Sequence, residues 1–61
     1  MIDLFIGNYE RILGNRVFIK QKEKFVSGTL ESFLFDGNKK LNVKLDNGKL
    51  IKTDRVYVDR K

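Results

Sequence analysis

The residues best suited to chemistry lie between Phe25 and Leu45, in the run FVSGTLESFLFDGNKKLNVKL. Two asparagines, Asn38 and Asn42, and two lysines, Lys39 and Lys40, gather after an Asp36-Gly37 turn signal. An Asn amide donates and accepts hydrogen bonds, and a Lys ammonium is a compact positive charge. Together they suit a polar, anionic ligand. A second basic cluster, Lys20, Lys22 and Lys24, stands just upstream. The whole chain carries 13 Lys and Arg against 8 Asp and Glu, for a net charge of +5 and a pI near 9.8. A small basic domain of this kind is a candidate for binding a polyanion. The same charge also keeps a small protein soluble, and lysines guard exposed strands.

Catalysis has little to stand on. The chain has no His and no Cys, so the common general base and the thiol nucleophile are missing. Its carboxylates are scattered and mostly adjacent to Lys or Arg, which gives no raised-pKa pair. Gly7, Gly14, Gly28, Gly37 and Gly48 are isolated, so no glycine loop cradles a phosphate. The expectation is a protein that is not an enzyme and uses no cofactor or metal.

The 61 residues make one domain over 1–61. Chains this small bury only about 60% of the surface they expose when unfolded, and often need disulfides, a metal or partner subunits. Without Cys or His the remaining device is self-association, so a homo-oligomer is expected. No apolar run is long enough to span a bilayer, so no membrane partner is expected. The N-terminal segment carries Asp3 and Glu10 and lacks a basic n-region, unlike a secretory signal. The plain reading is a soluble, intracellular, cytoplasmic protein.

The elements that must hold these residues follow from periodicity. Phe5, Tyr9, Ile12 and Leu13, with Ile2 and Ile6, recur at helical spacing, which predicts a short helix over 3–13 with Asp3 as N-cap and Gly14-Asn15 as its stop. Gly7 weakens its middle, and a helix this short must be docked to persist. From Arg16 the period changes to alternation. Val17 and Ile19 share one face; Val26, Gly28 and Leu30 continue it on the next strand. The alternation fails near Ser32, because Phe33, Leu34 and Phe35 are consecutive, which predicts a bend or bulge. Leu41, Val43 and Leu45 alternate as a half-buried strand should. Asp46-Asn47-Gly48 marks a hairpin, 49–53 a fourth strand, Asp54-Arg55 a corner and 56–58 a short fifth. The expected fold is mainly β: a five-stranded antiparallel small barrel over about 16–59, behind the helix.

This arrangement resembles the Sm-like proteins, the family of Lsm proteins and Hfq, and more broadly the SH3-like barrels. Ser27-Gly28-Thr29-Leu30 is similar to the core of the family's first motif, with Asp36 and Asn42-Val43 in its later places. Ile51-Lys52-Thr53-Asp54-Arg55-Val56 is similar to the second. The chain departs from the family in two places: the spacing from Asp36 to Asn42 is wider, and Lys52-Thr53 stands where the family has Arg-Gly.

The resemblance implies RNA or single-stranded DNA bound at a rim formed by the loops after the second and fourth strands. Carried over by position, it points to Phe35, Asp36, Asn38 and Asn42 in the first region, and to Lys52 with Arg55 nearby in the second. Lys39 and Lys40 would extend the positive rim. The implied roles are an aromatic stacking face, an amide reading a base edge and cations neutralising phosphate. Each residue also has a plainer reading: Phe35 as core aromatic, Asn38 as turn residue, Asn42 as ordinary outward residue, and the lysines as a solvated face. The resemblance further implies a ring in which the fourth strand (Leu50 to Thr53) pairs with the fifth (56–58) of the next copy. The alternative is an SH3-like protein-interaction module with no nucleic-acid ligand, using Phe18, Tyr57 or a free strand edge to meet a regulatory partner.

Overall fold

The structure is a computed structural model and describes residues 1–60; residue 61 of the expected domain lies outside them. Six strands occur among the described residues: β1 (Ile2–Leu4), β2 (Arg16–Gln21), β3 (Lys24–Phe35), β4 (Lys39–Leu45), β5 (Leu50–Thr53) and β6 (Tyr57–Asp59). They form a single antiparallel sheet in the order β1-β6-β2-β3-β4-β5. Strands β2 to β5 follow each other by hairpins, and β6 returns to lie beside β2 through Phe18 and Tyr57. The end strands β1 and β5 are not paired with each other, so the sheet is open.

The N-terminal helix expected over 3–13 is corrected. Residues Ile2–Leu4 instead pair with β6, in the register Ile2 with Asp59, Asp3 with Val58 and Leu4 with Tyr57. The Phe5 amide extends this by donating to the Val56 carbonyl at 2.9 Å. Among the described residues only Tyr9–Ile12 winds into a helical turn, of the tighter 3-10 kind, with the Asn8 side chain accepting from the Glu10 amide at its start. The reason is a competition for backbone hydrogen bonds. A helix with Gly7 in its middle is marginal, whereas β6 has an unpaired edge that three residues can satisfy at once. Gly7 then serves the turn out of β1, at a φ of +149°. The side chains read as a helical face keep their burial: Tyr9 is buried, and Phe5 and Ile12 pack on the core. Ile6 and Leu13 do not, being 79% and 43% exposed. The strand count rises from five to six for the same reason.

The core lies on one face of the bent sheet. Val17 and Ile19 from β2, Leu30 from β3, Leu41, Val43 and Leu45 from β4, and Val56 before β6 are buried. These are the alternating positions, as a half-buried sheet demands. The expected irregularity in β3 is present: Leu30 pairs with Val43 and Ser32 with Asn42, so Glu31 is an extra residue. Such a bulge advances the side-chain phase by one. It lets Leu30, Phe33 and Phe35 all face inward, though Leu30 and Phe33 have opposite parity. The loop that follows the 3-10 turn clamps this point, since the Gly14 amide donates to the Leu30 carbonyl at 2.8 Å and the Leu30 amide to the Asn15 carbonyl at 3.2 Å.

Candidate nucleic-acid interface

Where β3 ends and β4 begins, inward-facing aromatics outnumber the space left in the core. Phe33 and Phe35 lie 5.3 Å apart between ring centroids, and Tyr9 meets them at 6.4 and 5.6 Å. Phe5 closes the group, 5.3 Å from Tyr9. The Lys39 ammonium lies 4.9 Å from the centroid of the Tyr9 ring, within cation–π range. Tyr9 is buried, yet Phe35 remains 50% exposed, so this cluster is core at one end and surface at the other.

A cleft of about 760 Å³ opens beside it, lined in part by Phe5, Tyr9, Asn38, Lys39, Asp54 and Arg55. The Thr53 hydroxyl holds the corner that supplies Asp54 and Arg55 to it. It donates to the Arg55 carbonyl at 3.1 Å and accepts from the Arg55 amide at 3.3 Å, which pins the Asp54-Arg55 corner. Thus the Thr that departs from the resembled motif has a local task. Arg55 approaches Asp54 at 3.7 Å, with both side chains about two-thirds exposed. An exposed pair of this length is worth little and exchanges readily for another anion.

Of the eight residues expected at the rim, seven divide between two faces. Asn38, Lys39 and Arg55 line the cleft, and Phe35 stands at its edge through Tyr9. Lys40, Asn42 and Lys52 do not join them. Along β4 the buried positions are Leu41, Val43 and Leu45, so Lys40 and Asn42 point to the opposite face. Lys52 is the cross-strand partner of Asn42 and shares that outer face. There the Asn42 amide donates to the Ser32 hydroxyl at 3.0 Å, a tie across the bulge. Asp36 lies in the exposed turn between β3 and β4.

Sequence reasoning placed Tyr9 in a core face and gave it no part in the site. It also left Phe25 without a role. On the outer face Phe25 meets Tyr57 at 5.2 Å between centroids, inclined by 72°, and Tyr57 pairs across strands with Phe18. Arg16 and Lys20 stand 5.9 Å over Phe18 and Phe25 respectively. Arg16 also reaches Asp46 at 3.5 Å and the Ser27 hydroxyl at 3.1 Å, and Ser27 in turn donates to Asp46. Tyr57 is therefore covered in part by Phe25, and Phe18 by Arg16, and among the described residues no helix lies over them.

The edges available for pairing differ from the expected ones. Leu50–Thr53 remains an end strand, but β6 has β1 on one side and β2 on the other. Residues 56–58 thus offer no free edge to a neighbouring copy, and β1 takes that position. No group of three or more His, Cys, Asp or Glu side chains that could hold a metal occurs among the described residues. No helix among them is long and apolar enough to cross a membrane. No family model matches the chain, and neither a curated protein nor a solved structure does so.

Proposed function

We propose that this chain is a non-enzymatic nucleic-acid-binding module built on a small, partly open barrel of Sm-like or SH3-like type, directed to RNA or single-stranded DNA. The observation that carries the reading is the convergence of Asn38, Lys39 and Arg55 on one cleft beside exposed Phe35, in a chain of net charge +5. An amide, two cations and an aromatic face are the groups that hold a phosphodiester strand and its bases. The antiparallel run β2 to β5, with β6 back beside β2, and the close packing at Gly28 support the small-barrel type.

As a partner for itself, the chain has the β5 edge at one end of the sheet and the β1 edge at the other. Pairing β5 of one copy with β1 of the next is heterologous, so it yields a ring if the rotation closes. This replaces the β6 edge as the second half of a homo-oligomer contact. Native mass in solution measures it.

Anisotropy of a labelled single-stranded oligonucleotide, titrated at several salt concentrations, tests the nucleic-acid reading. Binding should weaken steeply with salt, since each phosphate neutralised on a single strand contributes about 0.7 to the slope of log K against log salt. No binding at low salt, or binding that ignores salt, removes this reading. The protein-interaction alternative draws on the Phe18, Tyr57 and Phe25 group. Partner capture that survives Lys39→Gln with Arg55→Gln, with no oligonucleotide bound by the native chain, would favour it.

A further inference from the structure

The Asp54-Arg55 corner has a cleft on each side. One is the Tyr9 cleft already described. The other, about 280 Å³, is lined by Lys20, Lys22, Thr53, Asp54, Arg55 and Tyr57. Arg55 therefore forms a ridge shared by both. Beyond the second cleft lies the ring pair of Tyr57 and Phe25, the latter 40% exposed. Lys39 thus lines the first cleft, Lys20 and Lys22 line the second, and Asp54 with Arg55, paired at 3.7 Å, stands between them.

We propose that this second cleft and the Phe25–Tyr57 pair bind a single nucleic-acid strand, its bases stacked on the two rings and its phosphates held by Lys20 and Lys22. The proposal rests on the nucleic-acid reading above and specifies the ligand further: single-stranded, and continuous across Arg55. Three features argue for it. The first is chemistry. Ring faces on a sheet surface bind bases only when those bases are unstacked, which a duplex does not offer. Every base has such a face, so the surface is tolerant of sequence.

The second is charge. The β2–β3 hairpin carries Lys20, Lys22 and Lys24 against Glu23 alone, and no ion pair among the described residues holds Lys20 or Lys22. An anionic occupant complements it; a basic or apolar one does not. Lys20 reaches Phe25 only at 5.9 Å, the outer limit of a cation–π contact, so a phosphate can draw the ammonium aside and free the ring face.

The third is conformation. Lys22 has a φ of +57°, the left-handed region that favours Gly or Asn in a tight turn. A lysine held there stands at the mouth of the cleft at a conformational cost. Residues kept in such backbone regions concentrate at binding sites.

The test is anisotropy with a fluorescein-labelled oligouridylate of about twelve nucleotides, inside the range that small barrels track, and with a blunt hairpin duplex as its counterpart. Phe25→Ala and Tyr57→Leu should each weaken the single strand by about 5- to 150-fold, the range of one lost stacking contact, and leave the salt slope unchanged. Phe25→Leu, which keeps apolar cover over Tyr57, should weaken binding in the same direction, and far-UV circular dichroism reports that each variant is folded. Lys20→Gln should instead lower the slope by about 0.7. Undiminished affinity for the strand in a variant that carries both ring substitutions overturns this proposal while the Tyr9 cleft reading stands. Equal affinity for the duplex, or equal displacement by a polyglutamate peptide, overturns it as well. A native chain that binds no strand at low salt removes the nucleic-acid reading with it.

Discussion

Gly28 lies so close to β4 that a Cβ built on it would stand 2.5 Å from the Lys44 carbonyl oxygen and 3.0 Å from Leu45 Cα. Both neighbours are backbone, held in the β3–β4 ladder where Gly28 pairs with Leu45. Gly28 has an ordinary negative φ, so its requirement is space and not conformation. Gly28→Ala must therefore push two paired strands apart. It should cost about 1–3 kcal/mol, the usual range for overpacking, despite the small gain from a stiffer unfolded chain. For a domain of this size that is a fall in Tm of roughly 4–8 °C per kcal/mol. Urea unfolding followed by far-UV circular dichroism measures it, and an unchanged midpoint would show that the strands yield freely.

Much of this sheet is readable in the residues, and its limits are instructive. Leu41, Val43 and Leu45 alternate because only one face of β4 meets the core. The run Phe33, Leu34, Phe35 breaks the alternation because Glu31 is an extra residue. The same period of two separates adjacent lysines: Lys39 has the parity of buried Leu41, while Lys40 and Asn42 do not. That split was available in the sequence, and grouping the lysines as one rim overlooked it. The N-terminal segment is different. Spacing at 5, 9 and 12 reports which side chains are buried, but it does not choose the backbone that buries them. The vacant edge of β6 decides that, and it is formed by residues some fifty positions away. The contact of Lys39 with Tyr9 is equally tertiary.

Strand β1 protects the edge of β6 along its whole length, from Tyr57 to Asp59. The N-terminal ammonium adds a 2.9 Å contact with Asp59, exposed and so of little weight. Deleting residues 1–4 should expose β6 as a pairing template. The shortened chain loses the β1 edge of the proposed β5–β1 contact and gains that of β6, so it should form assemblies that differ in size from the native chain's, and sedimentation velocity would report the shift. A shortened chain with the native sedimentation profile at all concentrations would mean that β6 needs no cover.

The left-handed Lys22 carries a conformational cost of about 1–2 kcal/mol relative to an achiral residue. Lys22→Gly should relieve part of it, offset by the greater freedom glycine has when unfolded. A net gain in stability of up to about 1 kcal/mol is expected, read as a higher urea midpoint at unchanged m value. The same variant should bind a single strand less tightly at low salt, because the cleft loses a cation. Stability and affinity moving in opposite directions is the signature to look for.

The division of the expected rim residues between two faces gives a test in which charge is held constant. Lys39→Gln with Arg55→Gln removes two positive charges from the Tyr9 cleft. Lys40→Gln with Lys52→Gln removes two from the outer face of β4 and β5. If attraction were set by net charge alone, both pairs would weaken binding equally, since each leaves the chain at the same total. If the strand sits in the cleft, the first pair should lower the single-strand salt slope by about 1.4, from two contacts at about 0.7 each. The second should leave the slope unchanged and act only through screened, longer-range attraction. Side-by-side salt titrations of the two double variants decide the matter, and equal slopes would move the ligand off the cleft.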